Sequence, residues 1–369
     1  MLHRIFRYKR IYIILLLVVA VILTVAARFL PAFAEWYALH IYPLIAGSIG
    51  FLVSLVPFSV SEILVVILAG GITAYMIWVI VRLVRQRKRW KNTLWRAFLN
   101  FTAAVSILYF GFMLSMGINY YRRPVTDYLG LDIKESSASD LYNVCEILVR
   151  DCALYRAQMG QTDDGVAKLS DNSWYDTSKS ARDAYKKLAR QYPILDAVNI
   201  RNKPLISSRM FSFLLTTGVF MPYTFESNIN IDVPAFTVPA TMCHELTHFR
   251  GFMREQEANF LGYLACMQSD RADFRYSGSL MAFGYAFNEL YDADIELAAK
   301  IAAQCPKEMI NDINYEDEYW SRFRHTTAAQ ISGEVYDDYL ISQNQPSGIQ
   351  SYGEMVDLLI AYYKQISEI

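Results

Sequence analysis

Three long apolar runs constrain the first third of the chain more than any other feature. A run of about 20 apolar residues reaches across the ~30 Å hydrocarbon core of a membrane as a helix. Ile11 to Ala27 is such a run, preceded by Arg4, Arg7, Lys9 and Arg10 and closed by Arg28. The second runs from Ile63 to about Val81 and the third from about Ala97 to Met116. Residues 44–58, LIAGSIGFLVSLVPF, are too short for a span, and Gly47, Gly50 and Pro57 interrupt them. They read as re-entrant or interfacial. Ala32-Phe33-Ala34 also resembles a signal-peptide cleavage site. The length of the first run and the spans that follow it favour a retained anchor.

Charge sets the expected orientation. The net charge is −1, which does not point to nucleic acid as a partner. Basic residues crowd two places, the N-terminus and the loop with Arg82, Arg85, Arg87, Lys88, Arg89, Lys91 and Arg96. Lys and Arg stay on the cytoplasmic side, so both clusters are expected there. Three spans then place everything after residue 120 outside. The expected organisation is a membrane anchor over 1–123, with spans at about 11–27, 63–81 and 97–116, and an extracytoplasmic domain over 124–369.

That outer domain carries the chemistry. His244-Glu245-Leu246-Thr247-His248 is an HExxH element. On a helix, positions i and i+4 share a face, so both imidazoles can hold one Zn²⁺. Glu245, one step round, can take a proton from a water on the metal's open side. A catalytic zinc needs a third protein ligand and a free position. Glu255 is the best candidate. Thr237 can cap the first helix, and Gly251 suits a left-handed turn after it. A second helix starting near Arg254 would carry Glu255 on its first turn, with Phe260, Leu261, Leu264 and Met267 packing back on the first. Asn259, one turn on, can orient a ligand. Glu257 is the rival, but it lies about 200° round the helix, so only one of the two can face the metal. A solvated surface helix is the bland alternative for the whole motif.

Other elements are coarser. Helices are expected over about 139–159 and 177–192, with 194–209 irregular. Residues 224–231 alternate polar and apolar like a strand. Thr224, Glu226, Asn228 and Asn230 there are candidates for a substrate-binding edge, with a structural strand as the alternative. An apolar helix over 275–304, a polar helical stretch over 307–343 and a last helix over 351–367 follow. A zinc peptidase also needs an oxyanion donor, for which His325, Tyr276 and Tyr352 are candidates. The five cysteines, Cys145, Cys152, Cys243, Cys266 and Cys305, show no disulfide framework and read as small buried apolar residues.

HELTHFRGFMREQEANFLGYLAC resembles the core of the DUF3810 family of bacterial membrane proteins, itself similar to gluzincin metallopeptidases. Gly117-Ile118-Asn119-Tyr120-Tyr121, MPYTFESNIN, FRYSG, QSYGEMVDLL and YPLIAGSIGFLVSLVPFSVSE fit the same family, so the resemblance covers nearly the whole chain. It implies a zincin-like site on a membrane anchor, with His244, His248 and Glu255 as ligands and Glu245 as base. The order Glu255-x-x-Ala258-Asn259 is the one in which Glu-ligand zincins present ligand and supporting residue. The short gap from His248 to Glu255 departs from well-studied gluzincins. Metzincins use a similar gap, but their third ligand falls where this chain has Arg254.

The expectation is a mainly α protein: three N-terminal transmembrane helices plus a largely helical zincin-like domain with a short β element. It would sit in the bacterial cytoplasmic membrane, bind one Zn²⁺ and hydrolyse peptides or proteins. The alternative from a different class is a zinc-stabilised scaffold or sensor without turnover. An intramembrane protease fits poorly, because Arg250, Arg254, Glu255 and Glu257 flank the motif.

Overall fold

A computed structural model of the chain describes residues 2–171, 173–343, 345, 352–366 and 369, with side chains from residue 15 onward except that of 352. Helices dominate it, with one small sheet. The N-terminal part consists of α1 (Leu2–Phe29), α2 (Pro31–His40), α3 (Tyr42–Ser54), α4 (Val60–Arg85) and α5 (Trp90–Ser115). The stretches Pro31–Ser54, Val60–Arg85 and Arg87–Ser115 are long and apolar enough to cross a membrane. Only 6% of the apolar window in α4 and 11% of that in α5 is buried inside the chain, so their side chains are left for lipid. α1 packs along α5, where Thr24 Oγ1 and the Tyr109 hydroxyl lie 2.6 Å apart.

α3 is committed to the C-terminal half. A Cβ at Gly50 would stand 2.6 Å from the Phe249 ring and 3.2 Å from Ile200. The Tyr42 hydroxyl donates to the carbonyls of His248 and Phe249, at 3.1 and 3.2 Å. One face of α3 therefore lies on the HExxH helix, while Leu44, Leu52 and Leu55 are exposed on the other.

The C-terminal half contains α6 (Val125–Leu129), α7 (Ala138–Arg156), α8 (Trp174–Gln191), β1 (Asn202–Pro204), α9 (Ser208–Phe213), β2 (Gly218–Met221) and β3 (Glu226–Ile229). α10 (Val238–Phe249), α11 (Glu255–Met267), α12 (Ala272–Ala293), α13 (Ile295–Ala302), α14 (Lys307–Arg324), α15 (Thr327–Ser342) and α16 (Tyr352–Gln365) follow. α11 is central. It packs on α10, α12, α8 and α16, and buries Phe260, Leu261, Tyr263, Leu264 and Cys266.

Several boundaries depart from the expected ones for local physical reasons. The stretch 194–209 is not wholly irregular, because Asn202–Pro204 pairs with β3. The apolar helix over 275–304 breaks at Asp294, whose carboxylate accepts the Glu296 and Leu297 amides and so starts α13. The 307–343 stretch breaks at His325–Thr326, where Thr326 caps α15 through the Ala329 amide. Tyr120 is fully buried, with its hydroxyl 2.9 Å from that of Tyr339. Cys145, Cys152, Cys243 and Cys266 are buried and unbridged, and Cys305 is half-buried.

Candidate metal centre

α10 presents the motif. Pro239 sits in its first turn, and Thr237 occupies the cap position. The Thr237 hydroxyl does not cap, however; it donates to the Pro234 carbonyl at 2.8 Å. Ser277 of α12 accepts the Ala240 amide instead, at 3.0 Å. The helix ends at Phe249, and Gly251 follows at φ 83, the left-handed conformation expected of it. Its amide donates to the His248 carbonyl at 2.9 Å. The chain reverses, and α11 begins at Glu255 itself.

This reversal brings His244, His248 and Glu255 together, each offering a ligand atom within 4.8 Å of the others. The two Nε2 atoms are 3.1 Å apart. Glu255 places Oε2 3.2 Å from His244 Nε2 and Oε1 3.6 Å from His248 Nε2. Both opposite ring nitrogens are held. His244 Nδ1 meets Asn259 Oδ1 at 2.7 Å, and His248 Nδ1 meets the Phe252 carbonyl at 2.9 Å. With acceptors on both Nδ1 atoms, the Nδ1 protons belong there, and the Nε2 atoms directed at Glu255 are the ones a metal would take. Two imidazole nitrogens and one carboxylate fit a metal ion of the zinc type.

Glu245 lies beside this triad but outside it. Its side chain is buried, and its Oε2 atom has no hydrogen-bond partner. The Phe220 amide of β2 donates to the carboxylate. Gly218 leaves the room it occupies: a Cβ there would stand 2.6 Å from Glu245 Oε1. Burial raises the Glu245 carboxyl to about 8, against the pull of His244 and with a further push from Glu255. Burial alone would lower His244, but Glu255 outweighs it and holds the ring up at about 9. His248 is pushed down to about 4 by burial, although Glu255 pulls the other way. Glu255 falls to about 2, because the two histidines overcome its burial. Between the protein groups alone, the site holds a protonated His244 against an ionised Glu255.

A family model described as a protein of unknown function, DUF3810, matches residues 37–360. The chain belongs to the DUF3810 family. No curated protein matches it, and no solved structure does.

The rival carboxylate in this DUF3810 chain does structural work. Glu257 Oε1 accepts the Val125 amide and the Arg254 guanidinium, each at 2.8 Å. Arg254 also donates to the Tyr120 and Arg122 carbonyls. Glu257 thus ties down the segment that leaves α5, and Glu255 alone of the two joins the triad.

The expected substrate edge is placed differently. β3 is the central strand, with β1 parallel on one side and β2 antiparallel on the other, so neither of its edges is open. Its polar side chains are also used. Glu226 accepts the Val60 and Ser61 amides and pairs with Lys203 at 2.5 Å. Thr224 meets Ser61 at 2.6 Å, Asn230 donates to Ser212 and to the Thr216 carbonyl, and Asn228 is fully buried. Among the described residues, the open edge beside Glu245 belongs to β2.

Two of the expected oxyanion donors, Tyr276 and His325, are placed elsewhere. Tyr276 is buried, with its hydroxyl on Asp312 at 2.7 Å, in a cluster with Arg156. His325 is exposed at the end of α14. The side chain of Tyr352 lies outside the described residues. The phenol that reaches the site is Tyr336 of α15, which hydrogen-bonds Glu255. No periodicity marks it, because its partner is 81 residues away in sequence.

Proposed function

We propose that this chain is a membrane-anchored zinc metallopeptidase. One observation carries the reading: two histidines, fixed through Nδ1, converge with Glu255 while Glu245 keeps an unpartnered carboxylate oxygen beside them. His244, His248 and Glu255 would hold one Zn²⁺. When bound, zinc supplies a Lewis acid for a peptide carbonyl and lowers the pKa of water. Glu245, with one buried carboxylate oxygen free of any partner, would take the proton of the attacking water and return it to the leaving amine. The outer edge of β2 would align an extended peptide over Glu245 by main-chain hydrogen bonds. Tyr336, which hydrogen-bonds Glu255, would donate to the oxyanion. Zn²⁺ is the sole cofactor of this reading, and a peptide or protein the substrate.

The reading includes the topology. The basic residues of the 82–96 loop would lie in the cytoplasm and the metal site on the outer face, with residues 1–123 as anchor and 124–369 as the working domain. The α2–α3 stretch would lie along the interface, because Tyr42 and Gly50 fasten it to α10.

A zinc-stabilised scaffold is the competing class. The donor set favours the enzyme: the cluster holds three groups among the described residues, and a structural zinc closes with four. Metal analysis of the detergent-purified protein tests the proposal. Wild type and Glu245→Gln should each carry about one zinc per chain, as a three-ligand site requires. His248→Ala and Glu255→Ala should lose it, and Glu257→Ala should keep it. Absence of zinc from wild type after reloading, or peptidase activity that survives in Glu245→Gln, would sink the reading.

A further inference from the structure

The metal site stands at a defined depth against the membrane helices. Asn100 of α5 donates to the Tyr75 hydroxyl of α4 at 2.9 Å. These helices are consecutive and joined by the short turn Arg87–Arg89, so they run antiparallel. A step up one is a step down the other. That register sets Phe112 about level with Ile63, and Leu108 about level with Ile67. Ile63 begins the apolar run of α4, directly after Glu62. At 1.5 Å per residue, Leu108 lies roughly 8 Å further along the span than Glu62.

Both walls of the site rest on α5 at this depth. Tyr223, in the turn between β2 and β3, donates to the Leu108 carbonyl at 3.1 Å. Its ring lies against Gly111. This is the hairpin whose Phe220 amide holds Glu245. On the other side, Tyr339 of α15 packs edge-on against Phe112, with centroids 6.3 Å apart, and stacks on Tyr336, which holds Glu255. Glu62 itself accepts the Ile206 and Ser207 amides, both at 2.9 Å. That bond sets a knuckle beside the first turn of α4. The knuckle leaves Ile206 82%, Met210 55% and Phe213 40% exposed. Apolar side chains at the start of a span belong in the bilayer boundary.

We infer that the site works at the membrane boundary and that its substrates are juxtamembrane segments of membrane-anchored polypeptides. This rests on the peptidase reading above. A site for soluble peptides has no need to lean on a span. Here the strand that holds the base and the helix that holds Glu255 both reach down to the first apolar turns.

The full-length protein is reconstituted in liposomes with a single-span polypeptide carrying a flexible outer segment of about 40 residues of mixed composition. Cut positions are mapped by mass spectrometry. The effective concentration of a tethered position is highest where the tether's reach matches the height of the site and falls with further length, so a site at the boundary favours the positions beside the span and a raised site favours distal ones; cuts dependent on Glu245 should concentrate next to the span by about tenfold over the distal third. Even or distal cutting overturns the inference. The same outer segment is also offered free in solution. If it is cut as fast as the tethered one in a Glu245-dependent way, the peptidase stands and the membrane-boundary inference falls. If neither is cut, both fall. Depth is read separately with Ile206→Cys in a Cys305→Ser background, labelled with an environment-sensitive dye. Quenching by brominated acyl chains is expected, and its absence overturns the placement.

Discussion

Gly262 of α11 presses on the backbone of His244. A Cβ at that position would stand 3.1 Å from the His244 nitrogen and 3.3 Å from its Cα. The two helices that carry the triad touch here without a side chain between them, which lets Glu255 meet both imidazoles. Gly262→Ala should push α11 from α10 and cost about 1–3 kcal/mol, the usual penalty for overpacking. Gly262→Val should cost more. The check is the zinc dissociation constant beside the melting temperature. Unchanged zinc affinity in both variants would refute the account.

Gly218→Ala addresses the base rather than the metal. The added methyl would meet Glu245 Oε1, Thr241 Cγ2 and Glu245 Cγ, all closer than 3.0 Å. The expected outcome is full zinc content with kcat lower by about 10²–10⁴, the range for loss of a general base. Metal analysis and steady-state kinetics on one preparation separate the two effects. Zinc loss alongside activity would show that the strand supports the ligands as well.

Tyr336→Phe removes one hydroxyl from the neighbourhood of Glu255. If that hydroxyl serves the oxyanion, kcat should fall about 10²–10³-fold with KM little changed. If it serves only to position Glu255, zinc affinity should fall instead. Measuring both quantities decides between the roles.

Metal binding should release a proton at neutral pH. Glu255, outweighing burial, raises His244 to about 9, so the imidazole carries a proton that a metal must displace. Apparent zinc affinity should rise with pH through the neutral range and level off above about 9. Calorimetry in buffers of different ionisation enthalpy counts the proton. The same group affects the metal-free fold with a definite sign. Its folded value lies above its unfolded one, so its stabilisation is complete below the ordinary histidine range and is lost as pH rises through about 9. Melting curves of metal-free protein across that window should show the decline, and His248→Ala should not abolish it.

Glu226→Gln should be costly far from the metal. Lys203 and Glu226 are 1% and 2% exposed, and the carboxylate also receives the first amides of α4 and the Ser61 hydroxyl. Leaving Lys203 buried without its partner should cost about 3–5 kcal/mol. The double variant Lys203→Met with Glu226→Gln should recover part of that loss. Thermal unfolding in detergent measures both, and a double variant less stable than Glu226→Gln would contradict the pairing argument.

The motif, its reversal and the long apolar helices α4 and α5 followed from the sequence because each is local. His244 and His248 share a face by helical geometry, Gly251 permits the left-handed turn, and α4 and α5 are apolar along their length. The mainly α fold with a small sheet followed from the same periodicities. Glu255 was legible as the third member of the cluster, but its separation from Glu257 needed the Val125 amide and Arg254 to claim the second carboxylate. β3 has an amphipathic pattern that reads equally as an edge or a centre. Only the pairing of Asn202–Pro204, set by distant packing, made it central and left β2 open. Tyr336 and Tyr42 reach the site across long stretches of chain, and no spacing rule connects residues so far apart. Local geometry determined the ligands' face and the turn between their helices; tertiary packing decided which carboxylate, which strand and which phenol stand beside them.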